Sequence, residues 1–293
     1  MEESALEASP FEVLELGPDW YAGCQGYDPC FLAQPVDLPT LAAEQQADAA
    51  PLLDGSGHEL KYTHFSVVMS RSRQLAFFTA VNIDGQQMVD EKRSKDAWYF
   101  DPRIERDYQM GPEVYKHPKL DRGHLVRRLD PVWGADAKLA GEQTFHFTNC
   151  SPQHSALNQQ TWLGLEDYIL SNSKAHEVKV TVFTGPVLRD NDELYLGKYR
   201  IPAEFWKVVA LVKEDGQLSA TAYIQSQRDL ISDLEAWGGF GEYKTYQVPV
   251  AHIEQLTGLD LSGLRQHDPL APQGLESTAP QVLLLDNLEN LIL

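Results

Sequence analysis

Cysteine is nearly absent from this 293-residue chain, with only Cys24, Cys30 and Cys150, and no Cys-x-x-Cys spacing supports a zinc site. A Cys24–Cys30 bridge is sterically open but disfavoured in a reducing compartment. Long apolar runs are missing too: nothing approaches the roughly 18 residues that cross a bilayer. The opening MEESALEASP lacks the basic start and apolar stretch of a secretion signal. The expected compartment is therefore the cytoplasm, with no membrane partner. No repeat of 20 to 50 residues is present. Also missing are a GxSxG elbow, a P-loop, a dinucleotide fingerprint and an HExxH pair, since His176-Glu177 has no second histidine. These absences remove the common hydrolase, nucleotide-binding and zinc-protease classes.

Positive charge is scarce as well, with 24 Lys and Arg against 43 Asp and Glu and a formal net charge of −19. Its distribution says more than its sum. Residues 1–59 contain twelve acids and no Lys or Arg, and residues 251–293 contain six acids and only Arg265. In contrast, residues 92–128 carry ten Lys and Arg against six acids, the one stretch where a polyanion could dock.

What is present reads as a globular α+β protein, with 43% hydrophobic residues and length enough for a substantial core. Residues 1–57, acidic and rich in Pro and Ala, read as a partly ordered extension. From His58 the texture changes. THFSVVMSRSRQLAFFTAVNIDG predicts two strands around SRSRQ, and VKVTVFTGPVL, FWKVVALVKEDGQLSATAYIQ and YKTYQVPV predict more, with a turn at Asp215-Gly216. SALNQQTWLGLEDYILSNS spaces Leu157, Trp162, Leu165 and Ile169 as an amphipathic helix with Ser155 as cap, and VAHIEQLTGL predicts another helix. Strands, a helix, then strands again imply a central antiparallel sheet. The chain divides into an extension (1–57), a domain (58–265) and a tail (266–293). The leucines of PQVLLLDNLENLIL either line one face of a short docking helix or pack back on their own domain.

One segment concentrates chemistry: LDRGHLVRR, residues 120–128. Three readings stand for His124: a general base, a metal ligand or a solvated surface histidine. The nine residues alone do not separate them. Downstream, Asn158, Trp162 and Glu166 recur every four residues, which holds them within about 80° on one side of a helix. Phosphodiester hydrolysis needs a base, a cation and donors for developing charge. A neutral imidazole, with a pKa of about 6.5, can be the base. The Asn158 oxygen suits Mg²⁺, which keeps several waters and few protein ligands. Glu166 can hold those waters, and Arg122, with Arg127 or Arg128, can donate to phosphate. Each has a plainer reading: Asn158 as a helix cap, Glu166 as a solvated acid, Trp162 as core.

The ordered series DRGH (121–124), TNCSPQ (148–153) and LNQQTWLGLE (157–166) resembles the DNA/RNA non-specific endonucleases of the ββα-metal group, which includes secreted bacterial sugar-non-specific nucleases and mitochondrial endonuclease G. FFTAVNIDG, DPRI at 101–104, FTGPV, IPAEFWKVV and HIEQLTGL resemble further family blocks in the same order, so the likeness covers about residues 58–259. It implies a ββα-metal fold with a central antiparallel sheet flanked by helices. It also implies a Mg²⁺-dependent endonuclease, Mn²⁺ substituting, that cuts DNA and often RNA without sequence preference and leaves 5′-phosphate ends. By the same resemblance His124 is the general base, Asn158 the metal ligand, Glu166 the organiser of metal-bound water, and Arg122 a phosphate donor. Asn149 ties the hairpin. Arg93 or Lys95 stands for a further family arginine, and Arg127-Arg128 departs from the small residues many members carry there, which favours longer polyanions.

A nuclease with no export signal needs restraint, so the acidic extension is expected to mimic a polyanion over the basic stretch, or a tail to dock a regulatory protein, an inhibitor or an activating protease. That logic suits a toxin or an anti-phage effector. The leucine-rich terminus is compatible with a homodimer. The rival class is a catalytically silent module that kept the fold to bind nucleic acid or a partner, and the joint presence of His124, Asn158 and Glu166 speaks against it.

Overall fold

The structure is a computed structural model and describes residues 13–14, 16–92, 97–155, 169–228, 244–271 and 283–284. Its first strands are β1 (Val13–Leu14), β2 (Glu59–Lys61), β3 (Phe65–Ser70), β4 (Leu75–Asp84) and β5 (Trp98–Tyr99). Then come β6 (Leu120–His124), β7 (Cys150–His154), β8 (Lys179–Pro186), β9 (Glu193–Tyr195) and β10 (Tyr199–Ile201). The last are β11 (Glu204–Val212), β12 (Leu218–Ser226), β13 (Lys244–Val248) and β14 (Leu283–Leu284). Short helices among the described residues include α1 (Ala43–Asp48), α2 (Ala137–Gln143), α3 (Val250–Thr257) and α4 (Ser262–Arg265). Among the described residues no helix is long and apolar enough to cross a membrane.

Eight strands make one antiparallel sheet in the order β14-β13-β12-β11-β8-β4-β3-β2. The hairpins and strands expected from β-branched and aromatic runs all form, and the turn between β11 and β12 uses Gly216 at φ 81°. Register explains how the sheet builds two cores. Phe205, Lys207 and Val209 of β11 lie opposite Pro186, Thr184 and Val182 of β8, and opposite Gln225, Tyr223 and Thr221 of β12. Because successive side chains alternate faces, these share one face and Trp206, Val208 and Ala210 the other. The first face packs on Leu125 and Val126, just beyond His124. The second packs on Val250 and Ile253 of α3 and on Leu261 and Leu264. Burying each such large apolar side chain contributes roughly 1.5–3 kcal/mol, so both faces are strongly held. Gly258 ends α3 at φ 72°, its N–H bonded to the Glu254 carbonyl, a left-handed stop that glycine accepts without strain.

Several expectations shift. Within the acidic stretch 1–57, Tyr21, Tyr27, Leu32, Val36, Ala49 and Ala50 are all at most 6% exposed and belong to the two cores. Acidic, Pro-rich text hid scattered apolar anchors that have no period to read. At the other end, Leu283 and Leu284 form a strand rather than a helix face, pairing with Gln247 and Tyr246 of β13. An open sheet edge offers unpaired backbone groups that recruit chain regardless of helical spacing. The strand-like run TFHFTNCSPQ starts as a single 3₁₀ turn, Phe147–Asn149, and becomes strand only at Cys150. Cys24, Cys30 and Cys150 are all free thiols.

Candidate active site

The segment DRGH is itself a strand. β6 runs antiparallel to β7 with Asp121 opposite Gln153, Arg122 opposite Pro152, Gly123 opposite Ser151 and His124 opposite Cys150. Strand alternation puts Arg122 and His124 on one face of this hairpin and Asp121 and Gly123 on the other. Gly123 is required by close packing: a Cβ there would lie 2.0 Å from Gln153 Oε1 and 2.1 Å from Cδ.

Two amides hold the hairpin in place. Gln227, just past β12, accepts from the His154 N–H at 2.8 Å and donates to the carbonyls of Pro152 (3.2 Å) and Pro202 (2.7 Å). Asn149 is fully buried; its Oδ1 accepts from Val126 N–H at 2.9 Å, and its Nδ2 donates to the Val126 and Thr144 carbonyls, each at 2.9 Å. The Leu125 N–H adds a bond to the Asn149 carbonyl at 2.9 Å. The backbone leaving His124 is therefore clamped within two residues of the imidazole, and the 3₁₀ turn at 147–149 is what aims the amide there.

Aromatic rings set the imidazole's orientation. Trp98 lies 5.0 Å from the His124 ring, tilted by 49°, and Phe145 meets it edge-on at 5.0 Å and 88°. Arg122 Cζ lies 5.2 Å from the same Trp98 ring, so one indole backs both polar groups. His124, Arg122, Arg127 and Arg128 are all half-buried. Arg127 sits by the buried Asp130, which accepts from its backbone N–H at 3.2 Å; burial raises the Asp130 carboxyl, opposed by Lys207 and Arg127. Arg128 donates to the Glu91 carbonyl at 3.3 Å. Burial pushes the Cys150 thiol up to about 12, against the lowering effect of Tyr115 and Arg122, so it is a neutral thiol and not a thiolate ligand.

The basic stretch of the sequence is only partly gathered here. Arg103 is committed elsewhere, its Nε and Nη2 bonded to Asp101 at 3.0 and 2.7 Å and its guanidinium 3.9 Å from the Tyr21 ring centroid. Burial alone would raise the Asp101 carboxyl, but Arg103 outweighs it and holds the group below the usual carboxylate range. Asn158, Trp162 and Glu166, together with Arg93 and Lys95, lie outside the described residues. Gln153 was read only as part of a motif. It is fully buried beside Gly123, and among the described residues neither its Oε1 nor its Nε2 has a hydrogen-bond partner, an unusual cost in a site-bearing hairpin. Its position four residues after Asn149 was the only signal that could have found it. Among the described residues no group of three His, Cys, Asp or Glu could hold a metal.

The DNA/RNA non-specific endonuclease family matches residues 49–264. A protein named y4fB from Sinorhizobium fredii is 39% identical over 261 residues, covering 82% of this chain and 39% of the relative. Mitochondrial endonuclease G of Bos taurus is 26% identical over 181 residues, 58% of this chain and 57% of the relative. The nuclease of Serratia marcescens is 28% identical over 174 residues, 55% and 59% respectively. The chain thus spans about two-fifths to three-fifths of these relatives. A crystal structure of an EndoG/EndoGI complex aligns with TM-score 0.55 at 19% identity, covering 69% of this chain and 84% of the other, a likeness of fold. Hairpin, sheet and matched span agree: this chain is an α+β protein of the ββα-metal nuclease fold and belongs to the DNA/RNA non-specific endonuclease family.

Proposed function

We propose that this chain is a divalent-metal-dependent endonuclease that cuts phosphodiester bonds of DNA, and of RNA, without sequence preference, with His124 as general base. The observation that carries the reading is the pairing of His124 and Arg122 on one face of a clamped hairpin in a chain of this family. The imidazole takes a proton as water attacks phosphorus; the bond from phosphorus to the 3′-oxygen breaks, leaving a 5′-phosphate and a 3′-hydroxyl. Arg122 donates to the non-bridging oxygens, and Trp98 restricts where both groups point.

The donor chemistry fits a hard, hydrated ion such as Mg²⁺. The nearby thiol is neutral, and the amide-rich motif suits an ion that keeps its waters. Asn158 would hold it and Glu166 would bond its waters. When bound, the ion supplies electrostatic stabilisation of the phosphate and leaving oxygen.

The same reading includes restraint. β1 lies parallel to β5, with Val13 opposite Trp98 and Leu14 opposite Tyr99, so these two residues of the acidic N-terminal stretch pair with the strand whose indole lies beside His124. That placement supports regulation by the chain's own N-terminus, and the EndoG/EndoGI complex supports a protein inhibitor as a partner class. A nuclease so restrained suits a toxin or an anti-phage effector.

Plasmid nicking tests the core claim. Activity is expected with Mg²⁺ or Mn²⁺ and absent in EDTA, and His124→Ala is expected to lower the rate by roughly 10² to 10⁴ with an unchanged near-UV spectrum. A His124→Ala protein that nicks at the wild-type rate sinks the assignment.

A further inference from the structure

The end of the catalytic hairpin away from His124 gathers two lysines and two histidines, Lys116, His117, Lys119 and His154. Several cations of the chain are paired with carboxylates: Arg73 with Asp192 at 2.6 Å, Arg103 with Asp101 at 2.7 Å and Lys174 with Asp90 at 3.0 Å. Among the described residues Lys116 and Lys119 have no such ion pair, in a chain of net charge −19 where carboxylates are plentiful. Local bonds gather them. The Lys119 N–H bonds to His117 Nδ1 at 3.1 Å, and the Lys119 carbonyl accepts from Ser155 N–H at 2.9 Å, while Leu120 pairs with His154. Lys119 is thereby brought next to the end of β7. Lys116 is exposed, at the end of the turn before His117, whose ring meets Tyr195 edge-on at 6.0 Å. Burial lowers the His154 imidazole, and Lys119 and His117 lower it further while Asp121 opposes them, which places both cationic side chains near His154.

We propose that Lys116, His117, Lys119 and His154 form a second phosphate-contact surface, gripping the flanking backbone of a nucleic-acid chain whose scissile bond lies at His124. The inference rests on the nuclease reading. Four residues of β6 separate the two ends, on the order of 13 Å at strand rise, which matches about four nucleotides at the 3.4 Å spacing of one duplex strand. The surface therefore grips long substrates and is out of reach of a dinucleotide. The contact is to backbone charge, so it adds length preference and salt dependence without base preference.

Binding and cleavage are read separately on full-length protein. In EDTA, anisotropy with a 20-nucleotide single strand and a 20-base-pair duplex is compared across salt for wild type, Lys116→Ala/Lys119→Ala, and Lys213→Ala. Lys213 lies just past the far end of β11 from the Gln227–Pro152 tie. The double variant is expected to bind about tenfold more weakly at low salt, with a salt slope smaller by about two, and Lys213→Ala to match wild type. With Mg²⁺, the double variant should raise KM on the 20-nucleotide strand and leave kcat, and dinucleotide cleavage, unchanged. Charge reversal at Lys119→Glu should deepen the binding loss. Equal affinity and slope in the double variant, or no wild-type binding to either nucleic acid, overturns the proposal, including the case where the surface instead takes an acidic protein. Lysine-dependent binding without any metal-dependent cleavage would sustain the surface and sink the nuclease reading.

Discussion

His124 is held by residues whose own contribution is purely geometric, and Asn149 is the clearest of them. Its amide makes three bonds of 2.9 Å, two to Val126 and one to the Thr144 carbonyl, in a fully buried position. Truncation leaves a buried N–H and two carbonyls without that partner, at roughly 1–3 kcal/mol for an orphaned group. Asn149→Ala is therefore expected to destabilise by about 3 kcal/mol in urea unfolding and to slow plasmid cleavage at temperatures where it remains folded. An unchanged urea midpoint would show that the clamp is dispensable. The motif TNCSPQ pointed to Asn149 as a tie, but not to which groups it ties. Gln153 in the same motif shows the limit more sharply, since its lack of a partner among the described residues depends on every neighbour that does not reach it.

At the scale of elements, the strands and α3 were legible because their causes are local: alternation, β-branched runs and a Gly stop. β1 was not, since two residues in acidic text carry no period. Its pairing with β5 makes regulation testable. Deleting residues 1–15 removes that pairing while keeping Tyr21, Tyr27 and Val36 in the cores. The expected outcome is several-fold faster nicking at subsaturating plasmid. Equal rates in the deletion and the full chain would remove restraint by this segment. A deletion beginning at residue 58 would test folding instead, because it strips those core residues as well.

For the whole molecule, pH is set to act through a buried histidine, His146. His146 Nδ1 lies 2.8 Å from the Gln143 carbonyl, so it carries the proton and donates; Nε2 then accepts from Tyr21 OH at 2.7 Å. Burial lowers this imidazole to about 4, with Asp101 opposing. The unfolded chain, titrating at about 6.5, binds the proton more readily than the folded one between those values. Stability therefore declines as pH falls from about 6.5 towards 4, by about 3 kcal/mol in total. Asp101, held low, acts in the same direction at lower pH, and the raised Asp130 opposes both. Urea midpoints at pH 7 and pH 5 check the slope, and His146→Gln should flatten it. A wild-type midpoint that rises on acidification would contradict the assignment.

The sequence by itself determined the α+β class, most strands, the family and the pairing of Arg122 with His124, because each rests on neighbours a few residues apart. Only the tertiary structure decided that residues 21–50 are core, that Leu283 and Leu284 close a sheet edge, and that Trp98 backs the imidazole. It also decided that Arg103 is spent on Asp101 and Arg73 on Asp192. The physical reason is range. Backbone propensity and side-chain alternation act along the chain, whereas burial and charge neutralisation are sums over groups that meet only once the chain has folded.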